Sequence, residues 1–274
     1  MSISPSNQHP NRPVLITGAA KRLGREIALE FARQGWDIAL HYGHSHAEAQ
    51  ATQAEITSLN RRCLIFQADL TMEADIQQLF TSVETAFGPL ACLVNSAASF
   101  EYDRPSSLEN PLRTPFLLDT MKLNLAAPIL LTQLMYLQQK TQSSITSNTE
   151  RTFIPAAIQL LDQKLINPNP DYFSYTLSKY ALQGAIQLLA LDFAPQLRVV
   201  GLAPGITMPS GDQTPLGFSQ AHQMTPLGRS SSAEDIGKAA VFLATAKAIT
   251  GTTLYVDGGQ HLFPSTRDIM FTTP

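Results

Sequence analysis

The sequence predicts an α/β fold with a doubly wound, seven-stranded parallel sheet and helices on both faces. Three observations predict it. Short apolar runs alternate with longer segments of helical period. A glycine turn joins the first strand to the first helix. No repeat and no linker divides the 274 residues, a length compatible with one α/β domain.

The first strand, Val14–Ile16, is short and apolar. Leu23–Gln34 follows with Leu23, Ile27, Ala28 and Phe31 at helical spacing, and Gly35 ends it. Asp37–His41 is the second strand. Ala47–Leu59 reads as helix, Cys63–Gln67 as strand and Glu73–Phe87 as helix, before a fourth strand at Leu90–Asn95. After an irregular stretch a long helix runs from about Arg113 to Gln139. Phe153–Leu161, Arg198–Ala203 and Thr253–Val256 supply the remaining strands, with helices at Tyr172–Phe193 and Ala233–Ala246 between them. Helical crossovers make such strands parallel. The polar stretch Gln138–Glu150 reads as a surface loop. Gly205–Ser231, rich in Gly, Pro, Ser and Thr, is too long for a plain connection and reads as a flap over a site. Residues 1–12 are polar and read as a disordered arm, leaving one domain over 13–274.

Composition removes several classes of function. Hydrophobic content of 44% and charged content of 15% describe a globular protein with a large core. Lys and Arg number 19 against 22 Asp and Glu, a formal charge of −3, with no basic block. Neither nucleic acid nor an anionic membrane is an expected partner. No apolar run reaches the length of about 18 residues that a membrane span requires. Cys63 and Cys92 lie in strand-like runs and read as buried free thiols. No secretory pattern opens the chain, so the expected location is the cytoplasm. His9, His46, His222 and His261 lack ligand spacing, so no metal site is expected. Trp36, at a strand start, reads as packing.

The run Tyr172-Phe-Ser-Tyr-Thr-Leu-Ser-Lys179 places Tyr175 and Lys179 four apart, on one helix face. A phenol titrates near pH ~10, and a neighbouring ammonium favours the phenolate. That pair is expected to work as a proton donor near neutrality.

Thr17-Gly-Ala-Ala-Lys-Arg-Leu-Gly24 stands between the first strand and helix. Such a turn brings backbone N–H groups and a helix N-terminus to one point, which suits a pyrophosphate. Gly18 permits the tight turn, and Gly24 lets the helix pack closely. Cofactor choice is read at the end of the second strand, where an acid usually holds the ribose of NAD. Here His41-Tyr-Gly-His-Ser45 has no carboxylate, and Asp37 is at the wrong end. Arg22 supplies a guanidinium suited to a phosphate, with Tyr42, His44 and Ser45 beside it. NADPH is therefore expected over NADH. Asp69 ends the third strand; it is read either as an acceptor for the adenine amino group or as a helix cap.

Together these residues resemble the short-chain dehydrogenase/reductase family over residues 13–260. The glycine turn, Ala68-Asp-Leu70, Leu93-Val-Asn-Ser-Ala97, Asn124, Tyr175-x-x-x-Lys179, Pro204-Gly205 and Val256-Asp-Gly-Gly259 occur in that family's order. The chain is more closely similar to the pteridine reductases, which share Arg22 in place of the middle glycine and the segments Leu40-His-Tyr42 and Ser45. Asp162 stands where most of the wider family has a serine, thirteen residues before the tyrosine. Departures are Asn95-Ser-Ala-Ala98 in place of Asn-Asn-Ala-Gly, Ala98 in place of a serine near the substrate, and His44 in place of an arginine.

The resemblance implies a single-domain Rossmann fold, a homotetramer, and hydride transfer from NADPH to a C=N bond of a pterin or dihydrofolate-type substrate. Tyr175 would donate the proton, with Asp162 hydrogen-bonded to it. Lys179 would lower the tyrosine pKa and hold the nicotinamide ribose. Asn124 would anchor a water joining Lys179 to solvent. Gly18, Lys21, Arg22, Leu23, Gly24, Tyr42, His44, Ser45, Asp69, Leu70, Asn95, Ser96, Ala97, Pro204, Gly205 and Ile206 would contact the cofactor. Arg22, Ala98, Phe100, Asp162 and Tyr175 would face the substrate, Phe100 lying over the pterin ring. The apolar tail His261–Pro274 is expected at a subunit interface, beside a neighbour's pocket. Two alternatives stay open: a carbonyl reductase for another ketone such as a 3-oxoacyl thioester, and a non-catalytic NADP(H)-binding sensor.

Overall fold

The computed structural model describes residues 12–145, 153–209 and 213–273. Its strands are β1 (Pro13–Thr17), β2 (Asp37–Tyr42), β3 (Cys63–Gln67), β4 (Cys92–Asn95), β5 (Ala156–Leu160), β6 (Arg198–Pro204) and β7 (Thr253–Val256). They form one sheet in the order β3-β2-β1-β4-β5-β6-β7, every pair parallel. The chain winds outward from β1 in both directions. Beside β1 the strand order therefore reverses, and a crevice opens beyond the carboxyl ends of the strands.

The helices are α1 (Arg22–Arg33), α2 (His46–Ser58), α3 (Glu73–Phe87), α4 (Thr114–Met121), α5 (Ala127–Ile145), α6 (Phe173–Phe193), α7 (Pro215–Gln223) and α8 (Ala233–Thr245). Successive residues of a strand point to opposite faces, and both faces of this sheet are covered. Val14 and Ile16 of β1 join Ile27, Phe31 and Ile236 in one layer, under α1 and α8. Leu15 joins Val83, Leu131 and Leu182 in the other, under α3, α5 and α6. That is why the strands read as continuous apolar runs rather than alternating ones.

Three segments differ from their sequence reading. The long helix is interrupted: a π-helical turn, Lys122–Ala126, separates α4 from α5. It also runs on to Ile145, through residues that read as loop. The polarity there has a use inside the protein. Gln138 Oε1 accepts from the Leu90 N–H and Gln139 Nε2 donates to the Leu90 carbonyl, both at 2.9 Å, satisfying the backbone ahead of β4. Residues 146–150 of that stretch lie outside the described residues, as do 1–11 of the arm. Within the flap segment, α7 was hidden by Pro215 and Gly217. Pro215 occupies the first turn of that helix, where proline is tolerated, and Thr214 Oγ1 caps it by accepting from Gly217 N at 3.0 Å.

The tail does not extend away from the chain. After β7 it makes short 3₁₀ turns at Gln260–Leu262 and Ile269–Phe271 and packs on its own protomer. Cys63 and Cys92 are free and buried. Burial pushes the Cys63 thiol up to about 12 and Cys92 higher still, so neither is reactive at neutral pH.

Candidate active site

The residues that follow β1, β2, β3 and β4 line a cleft of about 600 Å³. A second cavity of about 370 Å³ lies beyond β5 and β6 and is walled by the flap and the tail. Of the residues expected to contact a cofactor, Gly18, Lys21, Arg22, Leu23, Gly24, Tyr42, His44, Ser45, Asp69, Leu70, Ser96 and Ala97 all line the cleft. Ala98, expected to face the substrate, lines it too.

The glycine turn has the shape that an anion site needs. Gly18 sits at φ +65°, and a Cβ there would meet Ala97 Cα at 2.9 Å. A Cβ on Gly24 would stand 2.3 Å from the Gly18 carbonyl oxygen, so the close approach is to the turn itself. Lys21 precedes α1 without a side-chain cap, and the first turn carries no acid. Its leading N–H groups therefore face the cleft side unscreened, as a dinucleotide phosphate requires. Arg22 occupies the position of the family's middle glycine at φ 53°, a left-handed conformation unusual for a side-chain-bearing residue. Its Nη2 donates to the Pro209 carbonyl at 2.8 Å, tying the cleft to the flap.

A residue without an assigned role from the sequence holds this turn. His41 Nδ1 accepts from the Gly18 N–H at 3.2 Å, while Nε2 lies 3.1 Å from the Ala68 carbonyl. The first bond needs a bare nitrogen and the second a protonated one, which fixes the neutral tautomer. Burial lowers its pKa to about 4. Asp69 Oδ1 accepts from both the N–H and the hydroxyl of Thr71, which lowers its pKa, and the residue stays exposed at the cleft. It therefore shapes the turn after β3 and borders the cleft as well.

In the second cavity Asp162 closes β5, and Phe100 follows β4. The Tyr175 hydroxyl donates to Asp162 Oδ2 at 3.1 Å, and the Lys164 N–H donates to Asp162 Oδ1 at 2.9 Å. Lys179 lies below the tyrosine, its ammonium 5.6 Å from the ring centroid.

A family model described as enoyl-(acyl carrier protein) reductase matches residues 18–261. The chain belongs to the short-chain dehydrogenase/reductase family. Pteridine reductase 1 of Leishmania tarentolae is 30% identical over 92% of this chain and 98% of its own. A 3-oxoacyl-[acyl-carrier-protein] reductase FabG of Staphylococcus epidermidis is 28% identical over 92% and 100%. Among solved structures, FolM alternative dihydrofolate reductase 1 from Brucella canis, complexed with NADP, superposes with a TM-score of 0.82. It is 32% identical and covers 94% of this chain and 97% of that one.

Several residues of this short-chain reductase are placed differently from expectation. Burial raises the Tyr175 pKa well above 10, and the Asp162 charge adds to it, so the phenol is not acidified by Lys179 here. Lys179 is itself lowered to about 8 by burial and donates to the Leu160 carbonyl at 2.7 Å. A spacing argument sees the neighbouring charge and not the desolvation, which wins. The Asn124 side chain is spent within the protein: Oδ1 accepts from Ser99 N at 2.8 Å, and Nδ2 donates to Ser99 O and Ser178 Oγ. It splices the Phe100 segment to α6. Asn95 points inward, its Nδ2 donating to Gln159 Oε1 at 3.0 Å, and does not line the cleft. Gly205 and Ile206 border the second cavity rather than the cleft. Pro204 is the last residue of β6 and lines neither cavity.

Phe100 reaches the cavity, but one of its faces is taken. Tyr172 stacks on it at 4.1 Å and 12°, and Tyr175 meets it edge-on at 4.7 Å. A flat ligand cannot take the face that Tyr172 covers. Tyr172 itself was not foreseen; its left-handed backbone, φ 53°, sets it at the start of α6. Among the described residues no group of three His, Cys, Asp or Glu is placed to hold a metal, and no helix is long and apolar enough to cross a membrane.

Proposed function

We propose that this short-chain reductase is an NADPH-dependent pteridine reductase, adding hydride and proton across a C=N bond of a pterin or dihydrofolate-type substrate. The contact between Tyr175 and Asp162 carries this reading. Most of the wider family has a serine at this place, whose hydroxyl polarises a ketone oxygen, whereas Asp162 offers a titrating carboxyl that accepts from the Tyr175 hydroxyl. Nitrogen of a C=N bond instead needs a proton, and a carboxyl that holds one supplies it. The pteridine reductase and FolM relatives support the same substrate class.

The cleft fits the cofactor. The uncapped start of α1 and the Gly18 turn would take the pyrophosphate. Arg22, His44 and Ser45 would take the 2′-phosphate. No carboxylate ends β2, and Asp37 at its start is paired with Arg61 and does not reach the cleft. Bound NADPH supplies the hydride. The substrate carbon gains that hydride, its nitrogen gains the proton, and NADP⁺ is left. Asp162, at the cavity wall, delivers the proton and is recharged by Tyr175 behind it. Burial raises the Asp162 pKa, which favours the protonated donor. Lys179, charged through much of the neutral range, stabilises the phenolate as the proton moves, once its ammonium leaves the Leu160 carbonyl.

Measuring NADPH oxidation with dihydropterins, dihydrofolate and simple ketones tests this. Turnover confined to the nitrogen heterocycles is expected. Activity on 3-oxoacyl thioesters alone would overturn the reading in favour of the other reductase class, which the FabG relative represents. The assembly proposed with it is a homotetramer. Its support is the row Leu177, Leu188 and Leu191 on α6 with Leu118 on α4, all exposed on the protomer. A monomer in light scattering at micromolar concentration would refute that assembly.

A further inference from the structure

Asp171 takes no part in the chemistry above, yet its carboxylate gathers donors from both walls of the substrate cavity. The side chain has no exposed surface. Oδ1 accepts from Tyr102 Oη at 3.2 Å and from Arg104 Nη1 at 3.3 Å. Oδ2 accepts from Arg267 Nε and from the Asp268 N–H, both at 2.8 Å. Tyr102 and Arg104 stand just past Phe100, on the segment after β4. Arg267 and Asp268 belong to the tail, 96 and 97 residues farther along the chain. Asp171 directly precedes Tyr172, which stacks on Phe100, and lies one turn ahead of Tyr175. A single buried group thus fixes the Phe100 segment, the catalytic helix and the tail to one another.

The tail is held at further points. Lys164 Nζ donates to the Asp171 carbonyl at 2.7 Å and lies 3.5 Å from Asp268 Oδ2. The Tyr172 hydroxyl donates to Met270 Sδ at 3.3 Å, and the Phe271 ring meets Tyr102 edge-on at 5.2 Å. So held, Phe263, Asp268 and Met270 form one side of the cavity, facing Asp162 and Phe100. Among the described residues, the Asp268 carboxylate is partnered by that long Lys164 contact and by the Met270 N–H at 3.3 Å, which leaves acceptor capacity toward the cavity.

We infer that Asp171 is a positioning residue: it pins the chain's own C-terminal tail across the substrate cavity, where Asp268 accepts from the N–H edge of the substrate. This rests on the pterin reading, since an aminopyrimidinone ring presents such an edge and a 3-oxoacyl chain does not. Burial alone would push the Asp171 carboxyl up. The hydrogen bonds from Arg267 and the Asp268 N–H outweigh it and hold the group ionised. Losing the tail strands that charge, so the two sides depend on each other.

The test compares Asp171→Asn, Arg267→Ala, Asp268→Asn and a chain ending at Ser265, with the first change also made in the shortened chain. Each single change is expected to raise KM for a dihydropterin by roughly ten- to a hundredfold. Saturating kcat should change by less than about threefold and the NADPH dissociation constant by less than about twofold. Asp171→Asn should add little once the tail is gone. Arg267→Lys should restore part of the loss. If Asp171→Asn does not fold, Arg267→Ala and the shortened chain decide the matter alone. Unchanged KM in the shortened chain, or full additivity with Asp171→Asn, overturns the inference while the active wild-type enzyme leaves the pterin reading standing. A wild-type enzyme inert toward every dihydropterin overturns the pterin reading, and the role of Asp268 with it.

Discussion

The Tyr175 hydroxyl donates to Asp162 Oδ2 at 3.1 Å, and it is the carboxyl, not the phenol, that lines the substrate cavity. Tyr175 does not line that cavity; its ring stands perpendicular to that of Phe100, with centroids 4.7 Å apart. Burial raises both groups above their ordinary values, which shifts each toward its protonated form. In the proposed reaction the pair acts as a two-station proton store with Asp162 as the outlet, and each station makes a separate prediction.

Tyr175→Phe keeps the ring against Phe100 and removes the inner station. Turnover should fall by about two to four orders of magnitude, with NADPH affinity largely kept, because the Tyr175 side chain does not line the cleft. Near wild-type turnover in a steady-state assay would exclude the tyrosine from the proton path.

Asp162→Asn removes the titrating outlet, so pH profiles separate its role from shape. A donor must hold its proton, so kcat of the wild-type enzyme should be level on the acid side. It should decline as pH rises through the raised pKa of the pair, an apparent value that belongs to both groups. The asparagine variant should be slower and lack that decline. A wild-type decline that persists unchanged in the variant would assign the titration to another group.

How much of this could be read without coordinates depends on the range over which each signal acts. The bounds of β3, α3 and β7 coincide with their sequence readings because each is a local apolar pattern between clear breaks. The cleft was equally legible, since a glycine turn and the strand ends that follow it are short local runs. The direction of the Asn95 side chain was not legible, because a motif does not say which way an amide points, and this one turns to Gln159. Lys179 failed in direction because burial is a tertiary quantity. Gln138 and Gln139 looked solvated because their partner, Leu90, is distant in sequence. The tail's apolar residues did signal packing, but the Asp171 contacts that place it on its own protomer span almost a hundred positions.

His41 makes the phosphate turn sensitive to acid. Its pKa is about 4 in the folded chain against an ordinary 6.5. Above 6.5 both states are neutral and the full contribution to stability is present. As pH falls the unfolded chain takes the proton first, so stability declines from 6.5 and the loss is complete near 4. The interval corresponds to roughly 3 kcal/mol. Urea denaturation across that range should show a steeper loss for wild type than for His41→Gln, which cannot titrate. Parallel curves would remove His41 as the cause.

Arg22 combines a strained backbone with a role at the cleft, and two substitutions separate them. Arg22→Ala should weaken NADPH far more than NADH, erasing a preference of roughly tenfold to a thousandfold. Arg22→Gly should lose the same preference but melt at a higher temperature than the alanine variant, since glycine adopts φ 53° freely. Both lose the bond to Pro209, so flap effects cancel in the comparison. Equal kcat/KM of the wild-type enzyme for NADPH and NADH would sink the cofactor reading.

Asp162→Ser converts the site toward the wider family's pattern and so tests the substrate class directly. A serine hydroxyl can polarise a ketone oxygen. It cannot, however, store a proton for ring nitrogen as a buried carboxyl does. It also loses the acceptor that holds the Tyr175 hydroxyl and the Lys164 N–H. Reduction of a dihydropterin should therefore drop by about two orders of magnitude or more, while any slow reduction of a simple ketone is kept or rises. Quinonoid dihydropterin, whose reducible bonds are arranged differently, should be a poor substrate for both forms. Equal losses on pterin and ketone would mean that Asp162 serves only to orient Tyr175, and the choice of substrate would then rest with the cavity wall opposite.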